Sequence, residues 1–407
     1  MSACCRPPSR RSRRPGRRAQ AQTLVAVVLG TLLVSGCGAT TGGKSHSSPR
    51  AVVRASLATS TETSAGSWAA VPMGHLDQPL NTFWQLLFRR PGDSRWTDEA
   101  SALAVATNGG LLLAAGGGKS LAVGIRATNS LEYSPVIVTS DARSWSPAGP
   151  VAALADEPSA FEKTGGGQAL ALVREGRSAQ VLESTKALAN WRTVTTETAL
   201  ASSRAARACG LTSLTAVGFA AGRWLIGASC RREGVVGLFD ESGGAWHLVG
   251  PRLPRSVSRL SADVLGLQTT TSGLCALVGL TGRLGAGLVV TCTNHTRLSW
   301  RVSPVIALAG PETTVGFGPV AGTGVFAWIS GPTHPESLAI LNEPDMTWKY
   351  LPLPPPRTST LVFGPAGRVD ALVVDDTLLT DWRLVANSRR WARGQELRVA
   401  IQFGSSS

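Results

Sequence analysis

From about residue 80 to residue 400 the chain alternates short apolar runs with turns rich in Gly, Ser, Asn and Asp, and no apolar pattern of helical period is sustained. The clearest unit runs from Leu214 to Pro254. Two apolar strands, TAVGFAA and RWLIGASC, flank a turn at Ala221-Gly222; GVVGLFDES gives a third strand, and AWHLVGPRLP closes the unit with a strand led by Trp246. Neighbouring stretches repeat that order. Trp-led fourth strands are expected at Trp96, Trp145, Trp191, Trp246, Trp300 and Trp348, so the period is about 50 residues.

Four short antiparallel strands per fifty residues is the size of a β-propeller blade, and the predicted fold is an all-β propeller, seven-bladed with six as the alternative. Such a sheet leaves both faces apolar, so each must stack on the next, and closing the ring covers the last face. The indole that opens each outer strand is expected to seal the contact between neighbouring blades. Composition agrees: 12 Trp against 9 Phe implies a repeated task for Trp. Both ends of the repeat region are irregular. The segment RRWARGQELRVAIQFG reads as a last strand and is expected to complete the N-terminal blade, tying the ends of the ring.

The formal charge of +14 would suit a nucleic-acid partner if it were spread over the fold. Half of it instead comes from Arg6, Arg10, Arg11, Arg13, Arg14, Arg17 and Arg18, with no acid among them, and no nucleic acid is expected to bind. These arginines precede an apolar run, Thr23 to Val34, and then Val34-Ser35-Gly36-Cys37. A dozen apolar residues are too few for a mature membrane helix. The segment resembles a bacterial lipoprotein signal, which implies that Cys37 is lipidated and becomes the new N-terminus after cleavage. Residues 1–36 are then the signal peptide, 37–66 a Ser/Thr/Gly-rich flexible tether, and 67–407 the propeller. The implied location is the outer face of the cytoplasmic membrane. Arg far outnumbers Lys, and Ala and Gly abound, which suggests a GC-rich genome such as an actinobacterium's.

Four cysteines remain after Cys4, Cys5 and Cys37, and four allow three pairings. Cys275 and Cys292 sit on two strands joined by a Gly-containing turn; Cys209 precedes one strand and Cys230 ends its antiparallel partner. The predicted disulfides are therefore Cys209–Cys230 and Cys275–Cys292. The C-x-x-C spacing usual for zinc is missing, and neither a metal nor another cofactor is expected.

The turns carry a further pattern. Thr139-Ser140-Asp141 precedes Ser144-Trp145; Glu241, Gly243 and Trp246 stand in register in the next clear copy; Glu343, Thr347 and Trp348 in another; Thr293, Ser299 and Trp300 in a fourth. This resembles the Asp-box of sialidase-type, or BNR-repeat, propellers, in degenerate form. The resemblance implies that Asp141, Glu241 and Glu343 brace turns by accepting backbone N–H bonds. Phe88-Arg89-Arg90-Pro91 is similar to the Phe-Arg-Ile-Pro stretch of sialidases, whose Arg binds a substrate carboxylate. The chemistry also needs further arginines and a Tyr nucleophile paired with Glu. The chain has only Tyr133 and Tyr350, both within predicted blade strands and without an evident Glu partner. No catalytic residue is assigned. The expected function is a non-catalytic binding or assembly platform at the cell envelope for an unknown protein or glycan partner, held to the membrane through Cys37; the alternative is a glycan-binding or sialidase-like glycoside hydrolase propeller.

Overall fold

The computed structural model describes residues 51–75, 82–99, 109–126, 133–176, 178–185, 188–283, 285–294, 296–309, 312–320, 324–332, 336–385 and 388–399. The signal peptide, Cys37 and the segment before residue 51 lie outside the described residues, as do residues 400–407.

Residues 49–407 form one compact unit. Among the described residues it holds seven antiparallel meanders of four strands, within residues 59–98, 111–147, 161–196, 211–248, 261–302, 312–351 and 358–398. They are numbered one to seven below. The first strands of the meanders touch in chain order, and the first strand of meander seven, Thr358–Phe363, touches that of meander one, Thr59–Thr63. The circuit is therefore closed, as in a β-propeller.

Each junction between consecutive meanders is filled by an apolar cluster. Leu86 and Phe88 meet Leu121 and Val123 between meanders one and two; Val278 and Val289 meet Leu225 and Leu238 between four and five; Val71 and Leu87 meet Val362 and Leu372 between one and seven. Strands in this position are covered on both faces and so read as continuous apolar runs rather than alternating ones. Gly273–Gly282, the second strand of meander five, is buried along all but its last residue.

The tether expectation is corrected between residues 52 and 66. Val52–Ala55 is a strand that pairs in parallel with the start of Glu312–Val320, with Val52 beside Glu312 and Ala55 beside Val315. Thr59–Thr63 is the innermost strand of meander one. Its sequence, TSTET, has no apolar alternation because it lines a polar interior rather than a core, while its three β-branched threonines suit an extended backbone. Among the described residues the first strand thus begins at Val52.

The closure expectation is corrected too. Arg390–Arg398 pairs with Leu378–Val385 and completes meander seven, whereas meander one is built entirely from Thr59–Thr63, Gly66–Gly74, Thr82–Arg89 and Thr97–Asp98. The ends are joined instead by a buried polar lock. Arg89, 3% exposed, donates to the fully buried Asp370 at 2.5 Å and to Ser67, and its guanidinium lies 4.4 Å over the Trp96 ring. Arg368 and Arg383 approach the same carboxylate, at 2.9 and 3.5 Å. Gln395 accepts from Trp96 N at 2.6 Å and donates to Trp96 O at 3.0 Å.

Two short helices, Glu197–Ala201 and Arg204–Cys209, connect meanders three and four where continuous β structure was expected. Thr196 and Ser203 cap them by accepting from backbone N–H groups three residues on, and Gly210 ends the second in the left-handed conformation.

Candidate functional site

In an antiparallel meander the turns joining strands one to two and three to four lie at one end, and the remaining turns lie at the other. The first-to-second turns of several meanders surround a cavity of about 370 Å³ at the centre of the circuit. Ser64, Gly117, Gly118, Thr270 and Thr271 ring its mouth. Gly117 and Gly118 belong to the GGGKS stretch and have φ of 78° and 55°, a left-handed turn that glycine adopts without strain.

Ten residues lining the cavity are serine or threonine, and two are glutamates, Glu62 and Glu162. None is Arg, Lys, His, Tyr or Cys. Thr269 donates to Glu162 at 2.9 Å, and Ser159 links meanders three and five by donating to Leu267 O and accepting from Leu267 N. Burial pushes the Glu162 carboxyl up to about 7. Glu62 is also raised to about 7, mainly by burial and slightly by Asp370, against the opposing pull of Ser67 and Arg89; its Oε1 has no hydrogen-bond partner. Ala55, the last residue of the leading strand, and Ser56 after it form another part of the wall. That strand runs parallel to Glu312–Val320 and starts at its first residue, so the chain joins the ring at the end opposite the mouth.

The turn residues singled out in the sequence are structural. Asp141 accepts from Arg143 N and Ser144 N, each at 2.8 Å, and from the Thr139 hydroxyl; these bonds lower its carboxyl to about 2. In meander six the corresponding work falls to Asp345, whose Oδ1 accepts from Thr347 N and Oγ1, and in meander five to Asn294. Glu343 is corrected: it is buried, with its Oε1 3.1 Å from the Cys275 sulfur. Its longer side chain is buried just past the third strand, Ser337–Asn342, while the short Asp345 side chain reaches forward to the Thr347 amide. Glu241 lies exposed opposite Trp246 and braces no backbone amide among the described residues.

The repeated tryptophans open or immediately precede the fourth strands, except Trp246 and Trp348, the second residues of Ala245–Leu248 and Thr347–Leu351. Each packs on the cluster its meander shares with the preceding one: Trp145 beside Trp68 at 5.6 Å, Trp300 on the four–five cluster, Trp348 on the five–six cluster. Trp391, outside the sequence set, does the same between meanders six and seven. Disulfides join Cys209 to Cys230 and Cys275 to Cys292, the latter pair directly opposite in register. Cys275, Cys292 and Glu343 lie close together, but sulfurs joined in a disulfide offer no thiolate to a metal.

Sequence reasoning missed Glu62 and Glu162. Glu62 lay in the supposed tether, and nothing in FEK separates an inward glutamate from a solvated one; the hydroxyl-rich TSTET was the available signal.

No protein-family description and no curated protein matches the chain. Among solved structures, the BP39L lectin from Burkholderia pseudomallei is 12% identical, with 85% of this chain and 99% of its own covered, at a TM-score of 0.50. A protein from Lactobacillus plantarum is 10% identical, with 81% and 95% covered, at 0.47. The β-propeller domain of the Trilobed protease from Pyrococcus furiosus is 9% identical, with 84% and 96% covered, at 0.41. At such identities the likeness is one of fold alone, and that fold is a β-propeller.

Proposed function

We propose that this chain is a lipid-anchored, extracytoplasmic propeller of seven blades that works without catalysis as a binding or assembly platform, receiving a protein or glycan partner at the face bearing the central cavity. The observation that carries the reading is the lining of that cavity: hydroxyls and two carboxyls, without the tyrosine and arginine set of sialidase chemistry among the described residues. Sialidase-type chemistry has no place to work here, because Arg89 is committed to Asp370 while Tyr133 and Tyr350 are more than half exposed, away from the cavity lining. The degenerate Asp-box turns then serve the scaffold.

The Arg-rich leader with its Cys37 and the two disulfides support an exported, anchored protein. Two experiments test the reading. Cys37→Ala is expected to move the protein from the membrane fraction to the soluble one, and lipid-dependent retention of the variant would remove the anchor from the proposal. A photo-crosslinking residue at Lys119, in the mouth turn, is expected to capture a discrete partner in intact cells, whereas one at Glu233, on a second-to-third turn at the other face, is not. Equal capture at both positions, or at neither, would overturn the platform reading.

A further inference from the structure

A second cavity, of about 290 Å³, lies at the junction of meanders three and four and is independent of the central one. Its wall is a transverse row across meander four. Phe219 is paired with Trp224, and Glu241 with Trp246. The Ile226–Phe239 pair, two residues further along both inner strands, carries Trp224 and Glu241 onto the same face. That face is turned toward meander three, which contributes Gln168 and Val194. Arg223 stands at the rim.

The first hairpin here is less covered than that of meander seven. Meander seven closes its first hairpin on Phe363 opposite Val369, both at most 4% exposed. Here Phe219, Trp224 and Trp246 are only half buried, in a concave place, where exposed aromatic surface costs stability unless something covers it. The rings are held in position: Phe219 and Trp224 meet edge to face at 5.0 Å, and the Trp224 indole N–H donates to Glu183 at 3.0 Å. Arg223 turns its side chain the other way, to the face shared with meander five, where the buried Asp240 holds it at 2.7 Å. By contrast, the side chains of Gln168 and Glu241 have no hydrogen-bond or ion-pair partner among the described residues. The rim is open, since a Cβ at Gly222, Gly243 or Gly244 would meet nothing within 4 Å.

A ligand suited to this cleft presents an apolar face to the rings and, at its edge, groups that both donate to Glu241 and accept from Gln168. A cation would satisfy the rings and Glu241 but would leave the side-chain N–H groups of Gln168 without an acceptor. An apolar side chain would strand the polar rim. A sugar ring meets every condition, with C–H bonds on one face and hydroxyls that act as both donor and acceptor. We propose that the junction of meanders three and four is a carbohydrate site for a neutral pyranose, stacked on Trp224 and Trp246 and held at its hydroxyls by Glu241 and Gln168.

The full chain, purified from membranes, is applied to a printed array of neutral and charged glycans, and the retained sugars are then titrated as methyl pyranosides by calorimetry. Neutral glycans are expected to be retained. Glu241→Ala and Gln168→Ala alter exposed side chains outside the core, and each is expected to weaken binding about tenfold, the loss of one hydrogen bond to a hydroxyl. Glu162→Gln, in the central cavity, is expected to leave sugar affinity unchanged. The assignment is overturned if the folded protein retains no glycan, if binding survives both rim substitutions intact, or if tetramethylammonium binds in preference to the sugars. Failure of this test leaves the crosslinking test of the platform standing, because that test reads the central mouth.

Discussion

Two kinds of carboxylate titrate in opposite senses in this protein, and each has a measurable consequence. Asp141 is fully in solvent, yet its bonds to two backbone amides and a hydroxyl lower its carboxyl to about 2 from an ordinary 3.8. A lowered folded value means that the turn is favoured above the unfolded pKa and loses that support as pH falls through about 2. The amides of Arg143 and Ser144 are therefore expected to lose hydrogen-exchange protection across that acid window, and Asp141→Ala to remove it at neutral pH as well. Glu162 behaves the other way, its carboxyl raised from 4.5 to about 7 by burial. The folded state holds the proton more tightly, so the contribution is present below about 4.5 and is lost as pH rises through about 7. Glu62 adds to it in the same direction. The denaturation midpoint is expected to fall as pH rises through this window, and the combined Glu62→Gln and Glu162→Gln substitutions to flatten the slope.

Within an element, the fourth strands of meanders one, two and five have only two residues and would fray without their tryptophans. Trp96 shows why. It is 1% exposed, packs on the cluster between meanders one and seven, and lies under Arg89. Trp96→Ala is expected to cost about 3–5 kcal/mol in urea unfolding, as for a large aromatic removed from a core. The half-buried Trp300 is expected to cost less. The two disulfides act on the same scale, each bridging about 20 residues of chain, and replacing Cys275 and Cys292 together by Ala is expected to cost about 3 kcal/mol. Non-reducing peptide mapping should recover both local pairs.

For the whole molecule the decisive place is the closure between meanders one and seven, because no shared meander ties the ends. The ring depends there on packing and on the Arg89–Asp370 pair, whose members are 3% and 0% exposed. Desolvating both ions offsets much of their attraction, so the pair adds less than its geometry suggests; removing one partner leaves an uncompensated buried charge. Asp370→Asn is expected to destabilise the fold by about 3–5 kcal/mol. The combined replacement Arg89→Met with Asp370→Leu is expected to recover most of that loss in the same unfolding measurement.

What the sequence determined by itself was whatever depends on neighbours within one meander or on repetition between meanders. Tryptophans at intervals of about 50 residues revealed the repeating unit, since each junction needs one indole in the same place. The cysteine pairs were legible because each lies within one meander or at its threshold, where strand register or a hairpin brings the sulfurs together. The tertiary structure alone decided what depends on the ring. Thr59–Thr63 looked like a tether because a strand facing a polar centre has no apolar face to alternate. Closure through the last strand was plausible from its pattern, yet pairing partners 300 residues apart are chosen by packing, and Arg390–Arg398 found its partner next door. Asp345 rather than Glu343 braces its turn because side-chain length, which the spacing of acids does not reveal, decides which carboxylate reaches the amides. The row Phe219, Trp224, Glu241 and Trp246 is spread over four strands, so only their registration side by side on one face turns separate residues into a site.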